Sequence, residues 1–181
     1  MYRATMTVPT PRLPTAEHPL RDPMLWDVTL QSQSGEYIMR GNAAQLGVAS
    51  PNYLWPALRW AKQHQEDISS PLVVAVGDEH LDAQLARNLL VWSTQCVTQD
   101  EKTEWLRQML PRPPAAGDAE AWTLLINYLE AAQTLQLADA AARLRAYALR
   151  PAARALLQSQ GWESLHWKKS SQVIGTPYIL S

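Results

Sequence analysis

The chain contains no phenylalanine, one cysteine and seven glycines among its 181 residues. Each scarcity excludes something. A lone Cys96 cannot close an intramolecular disulfide, and no Cys/His set has the spacing of a structural zinc site. Few glycines leave few phosphate-cradling loops: there is no GxGxxG, no P-loop, no GxSxG and no HExxH. No apolar run approaches the ~20 residues that a membrane span needs. The opening MYRATMTVPTPRLP has no apolar signal core, so the expectation is a cytoplasmic protein. The excess of charge is also missing. Sixteen basic against seventeen acidic residues give a net charge of −1, which makes nucleic acid an improbable partner for the whole surface.

Tryptophan takes the place of phenylalanine, with eight copies. Its indole buries a large area but carries an N–H that needs an acceptor, so it suits the edge of a helical core or an interface. Plain packing in place of phenylalanine is the simpler reading. Proline is abundant at the start. Pro9, Pro11, Pro14, Pro19 and Pro23 mark residues 1–23 as an extended arm, since each removes a donor and blocks helix. Such an arm is either a loose tail or a strap laid on a partner.

Residues 24–161 read as one mainly α domain, an antiparallel bundle or stacked helical hairpins, with a β-hairpin at about 24–41. In the hairpin Trp26, Val28 and Leu30 alternate with polar residues, and Ser32-Gln33-Ser34-Gly35 supplies the turn. A short helix from Asn42 should stop at Gly47. Asn52 is placed to cap a helix reaching Gln65, with Leu54, Leu58 and Ala61 on one stripe and Trp55 beside it. Residues 72–76 are β-branched and end at Gly77, and periodicity does not separate strand from helix there. Asp78 is placed to cap a helix over 79–97 that carries Leu81, Leu85, Leu89, Trp92 and Cys96. Thr98 and Glu101 form a capping box for the next helix, and Asp118 caps a third over 119–133 with Trp122, Leu125, Ile126 and Leu129 inward. Residues 138–149 continue as an Ala-rich helix, Pro151 opens a further stretch to Gly161, and 162–181 form a tail. No 34-residue repeat is present.

Charge is uneven along the chain. Residues 67–118 hold four basic and eight acidic residues, whereas 140–181 hold six basic and one acidic. Arg143, Arg150 and Arg154 can share a helix face. With the WESLHWKK stretch, which contributes Trp162, Trp167, Lys168 and Lys169, they form the partner-binding surface expected from sequence, suited to an acidic protein. The bland alternative is a solvated face. The same basic third could track a single nucleic-acid strand, with Trp162 and Trp167 stacking bases.

Candidate chemistry is thin. Cys96 with His64 or His80 would make a nucleophile and base, but Cys96 lies on an apolar stripe near a helix C-terminus, where a thiol stays protonated. Asp78, Glu79, His80 and Asp82 are a compact acidic-histidine group, yet residues two apart on a helix do not share a face. His18 and His166 have no evident partner. The expectation is therefore no catalytic residue, no metal and no cofactor. The order Pro51, Trp55, Trp92, Glu101, Arg107 and Trp122 in an Ala-rich helix resembles small uncharacterised helical proteins of Gram-negative bacteria, some encoded near type VI secretion genes. The likeness covers about residues 50–130. It implies an accessory or adaptor role in an assembly and no known active site.

Overall fold

A computed structural model describes residues 8–12, 21–65, 70–111, 114 and 118–148. It is helix-rich, with six α-helices and a three-stranded sheet among the described residues. A 3-10 turn at Pro23–Leu25 precedes β1 (Val28–Ser32) and β2 (Tyr37–Gly41), which pair antiparallel around the expected turn. The order then runs α1 (Ala43–Ala49), α2 (Leu54–Gln63), β3 (Leu72–Val76), α3 (Ala83–Thr94), α4 (Gln99–Met109), α5 (Ala119–Thr134) and α6 (Ala138–Ala148).

Residues 72–76 are strand. They lie parallel to β1, so β1 is central and the sheet order is β2-β1-β3. Strand alternation buries Val28, Leu30, Ser32, Val74 and Val76 on one face, against the helices. A bulge in the β1–β2 register lets Ile38 and Met39, consecutive residues, both enter the core. Thr29, Gln31, Arg40, Val73 and Ala75 occupy the other face.

Several helix ends form as their residues dictate. Asn42 accepts the N–H groups of Ala44 and Gln45 at the start of α1. Thr98 and Glu101 complete their capping box, and Asp118 accepts from Ala121 N–H. Others differ from expectation. Gly47 does not end α1. It stays helical because the Trp55 ring packs on it, and a Cβ there would lie 2.5 Å from Trp55 Cε3. The N-cap of α2 is Tyr53, without a side-chain cap, in place of Asn52. Asp82, not Asp78, caps α3. Gly77 takes φ +80° and the Leu81 side chain folds over it, so 78–81 turn before the helix can begin. The buried face of α5 is also displaced. Leu124, Leu125, Tyr128, Ala131 and Ala132 are buried, whereas Trp122, Ile126 and Leu129 are half-buried at its margin.

The centre of the molecule is α3, which packs against α1, α4, α5, α6 and β2. Leu85, Leu89, Trp92 and Cys96 are buried as their spacing predicts, and Leu81 is partly covered. Within this apolar mass sits the buried amide of Asn88. Asn88 Nδ2 donates to the Tyr128 hydroxyl (2.7 Å) and to the Pro9 carbonyl (2.8 Å), while its Oδ1 accepts from Gln84 (2.8 Å). The Pro9 contact changes the reading of the arm. Residues 8–12 lie on the body of the domain: Val8 packs against the core, Pro11 is buried, and Arg12 N–H donates to Gln108 Oε1 at 2.8 Å. Proline suits this role, because its carbonyl still accepts and its missing N–H asks for no partner.

Removing the Asn88 amide leaves the buried Tyr128 hydroxyl and the half-buried Pro9 carbonyl without their donor. Asn88→Ala should lower unfolding free energy by about 1–3 kcal/mol for each group left unpaired. Deleting residues 1–12 should also destabilise. The two changes should combine to less than their sum, because they share the Asn88–Pro9 bond. Urea unfolding of the two variants and their combination measures this, and strict additivity would mean that the bond contributes nothing.

Candidate functional site

The side chains singled out in the sequence as chemistry-bearing do not converge. Cys96 is buried beyond the end of α3, and burial, with Glu101 adding to it, pushes its thiol up to about 12. Arg21 and Lys102 oppose that shift without reversing it. The neutral thiol is the wrong form for a nucleophile. His80 is exposed and lies 3.5 Å from Glu79 Oε1. Asp78 is spent on the N–H of His80, and Asp82 on capping α3. Among the described residues no three His, Cys, Asp or Glu side chains are grouped to hold a metal ion. His64 stacks on Trp60, with ring centroids 4.4 Å apart.

Arg143 is exposed on α6 and donates to Gln99 Oε1 at 3.2 Å. Arg150, Arg154, Trp162, Trp167, Lys168 and Lys169 lie outside the described residues, as do His18 and His166.

Next to Cys96 is a charge cluster that ties the chain together. Arg21 Nε donates to the Gln95 carbonyl at the C-terminus of α3 (2.9 Å), and its guanidinium pairs with Glu101. Cations at a helix C-terminus are favoured by the axial dipole. Glu101 also accepts from the N–H groups of Val97 and Thr98. The Arg21 guanidinium, aided by those two N–H groups, holds the Glu101 carboxyl below its ordinary range against the cost of desolvation. This cluster joins the arm, α3 and α4, so its role is structural.

A different place has the shape of a binding surface. A cleft of about 600 Å³ opens between the start of β1, β2, the N-terminus of α1, α2 and the segment leading into β3. Local rules build it. On α2, Leu54 and Leu58 turn inward, which at 100° per residue sends Trp55, Arg59 and Lys62 to one flank and Trp60 to the other. Asn42 caps α1 with its Oδ1 and ties Leu25 with its Nδ2 (2.9 Å), and Asp27 accepts the Ala43 N–H (2.8 Å), so the opposite wall is held by paired groups. Arg40 reaches across to the Trp26 carbonyl at 3.2 Å.

Arg59 and Lys62 have no carboxylate partner among the described residues. Four of the other described indoles make a contrast. Trp92 donates to the Lys102 carbonyl and Trp105 to the Asn88 carbonyl, both at 2.9 Å, and Trp55 and Trp60 are exposed to solvent. Trp26, which lines the cleft, has a buried Nε1–H without an acceptor among the described residues. Such a donor costs about 1–3 kcal/mol. The alternation of Trp26 with the strand residues was legible in the sequence, but its position opposite Trp55 was not.

Two measurements check these assignments. With the folded Cys96 thiol raised from 9.0 to about 12, the stability it carries is complete below pH 9 and is lost as pH rises toward 12. Labelling by a thiol reagent at pH 8 should be slow in the native state and fast in denaturant. For Glu101 the sign is opposite: the depressed folded value makes its contribution present above about 4.5 and lost as pH falls through the folded value. Arg21→Met should lower Tm by several degrees at pH 7, and the gap to wild type should shrink in acid. Comparison with protein-family models, curated proteins and solved structures finds no match to this chain.

Proposed function

We propose that the protein is a non-catalytic interaction subunit or adaptor of a bacterial multiprotein assembly, working in the cytoplasm. The observation that carries the reading is where the large apolar side chains lie. Met24, Leu25, Trp55 and Trp60 are 89%, 49%, 45% and 64% exposed, although the domain has a core able to bury residues of that size. Three of them belong to the cleft region: Trp55 lines it, Asn42 in its wall bonds Leu25, and Met24 is the next residue. Exposed apolar groups rimmed by cations mark protein-binding faces, and tryptophan and arginine are the residues such faces use most.

The helical framework, read from the sequence as stacked antiparallel hairpins, then acts as the platform that holds this face rigid. A catalytic reading finds less support, because the thiol it would use is buried and protonated. The basic C-terminal third expected to meet an acidic partner is a second surface in this proposal, represented among the described residues by Arg143.

The test is site-specific photocrosslinking in host cells. A benzophenone amino acid at Trp55 should capture a defined protein, and the same group at exposed Gln133 on α5 should not. Equal capture at both positions, or none at Trp55, would remove the cleft face from the proposal.

A further inference from the structure

The chemistry of the cleft narrows what binds there. Its described charged lining is Arg40, Arg59 and Lys62 against Asp27 alone, and Asp27 is committed to the α1 N-terminus. Arg59 and Lys62 project from successive turns of one helix flank, with Trp55 a turn before Arg59. Two charges at this spacing meet two acidic groups a few ångströms apart. The apolar part of the lining, which includes Trp26, Trp55, Leu58, Pro71 and Leu72, is the larger, so a bare anion would leave most of the surface unused. The volume falls in the range of ligand sites, roughly 300–1,000 Å³. The cleft is half open, however, and continuous with exposed Leu25 and Met24 through Asn42. That shape suits a chain laid along it more than a small molecule enclosed by it. Three cations in a protein of net charge −1 are too few to follow a nucleic-acid backbone.

We infer that this cleft is a docking groove for an acidic peptide segment of a partner protein, with its carboxylates on Arg59 and Lys62 and an apolar side chain against Trp26 and Trp55. The inference rests on the interaction reading above and specifies the partner's chemistry. Glu66 and Asp67 follow Gln65 in the sequence, lie outside the described residues, and enter the test as a rival occupant.

The full chain is panned against a random peptide display library at low salt. Enriched peptides should share two or more Asp or Glu residues beside an aromatic or branched aliphatic one. Synthetic copies should lose affinity by about tenfold or more on the Arg59→Glu/Lys62→Glu variant, and severalfold when salt is raised from about 50 to about 500 mM. Trp55→Ala should weaken them without abolishing the salt dependence. Circular dichroism of the Arg59→Glu/Lys62→Glu variant should match wild type, because both side chains are exposed, whereas Trp55 also packs on Gly47 and its variant is compared at a temperature where its helical signal is intact. Enrichment of neutral or basic peptides, or acidic peptides that bind the double-Glu variant equally well, overturns the inference. So does enrichment only on Glu66→Gln/Asp67→Asn, which would assign the cations to the chain's own acids. Displacement of the peptides by inorganic phosphate at micromolar concentration would assign the site to a small anion instead. If panning fails while crosslinking from position 55 succeeds, the interaction reading stands and only the acidic-peptide chemistry falls.

Discussion

The amide of Asn88 sits where α3, α5 and the N-terminal strap meet, and no water reaches it. Its two N–H groups and its carbonyl must all find partners inside the protein, because an unpaired polar group at that depth costs as much as a good hydrophobic contact contributes. They find Tyr128, Pro9 and Gln84. Each bond fixes a relation the apolar core alone leaves loose: the rotation of α5 about its axis, and the position of an extended segment that has no helix or strand of its own. Burial of the Tyr128 hydroxyl, whose pKa is pushed up to about 12, reflects the same dry environment. Around this point Trp105 donates to the Asn88 backbone carbonyl, and Tyr147 to the Leu110 carbonyl, so polar aromatics tie α4 to α3 and α6 to the end of α4.

The rotation of α5 has consequences for packing. Turning Tyr128 toward Asn88 brings Ala131 and Ala132 inward as well, and small side chains there let α6 approach α5 closely. Trp122 and Leu129 are thereby moved to the margin. The observed rotation is the one that pairs the buried Asn88 amide with the Tyr128 hydroxyl.

The opposite end of the molecule is built differently. The sheet, α1 and α2 form a thin layer whose buried side is fully packed by Val28, Leu30, Leu54 and Leu58. Its other side carries the cleft, with Trp26, Trp55 and two cations, Arg59 and Lys62, that have no carboxylate partner among the described residues. The eight tryptophans therefore do not share one task. Trp92 and Trp105 serve the core with their N–H groups satisfied, while Trp26 and Trp55 line the cleft, Trp26 with its Nε1–H buried and without an acceptor among the described residues.

Local chemistry was readable directly. The Ser32–Gly35 turn, the Thr98–Glu101 capping box, the Asp118 cap and the buried stripe of α3 with Cys96 follow from residues within a few positions of each other, and those interactions form whatever surrounds them. Tertiary structure decided the rest. Asp78 and Asp82 are equally good caps, and the fold of Leu81 over Gly77 selects Asp82. Residues 72–76 become strand because β1, far earlier in the chain, offers a parallel edge that pairs Val28 with Leu72. The arm is held because Asn88 needs the Pro9 carbonyl. The cleft is lined by Trp26 and Trp55, which are far apart in sequence and belong to different elements. In each case the deciding energy belongs to a pair of groups far apart in sequence, and neither member announces the other.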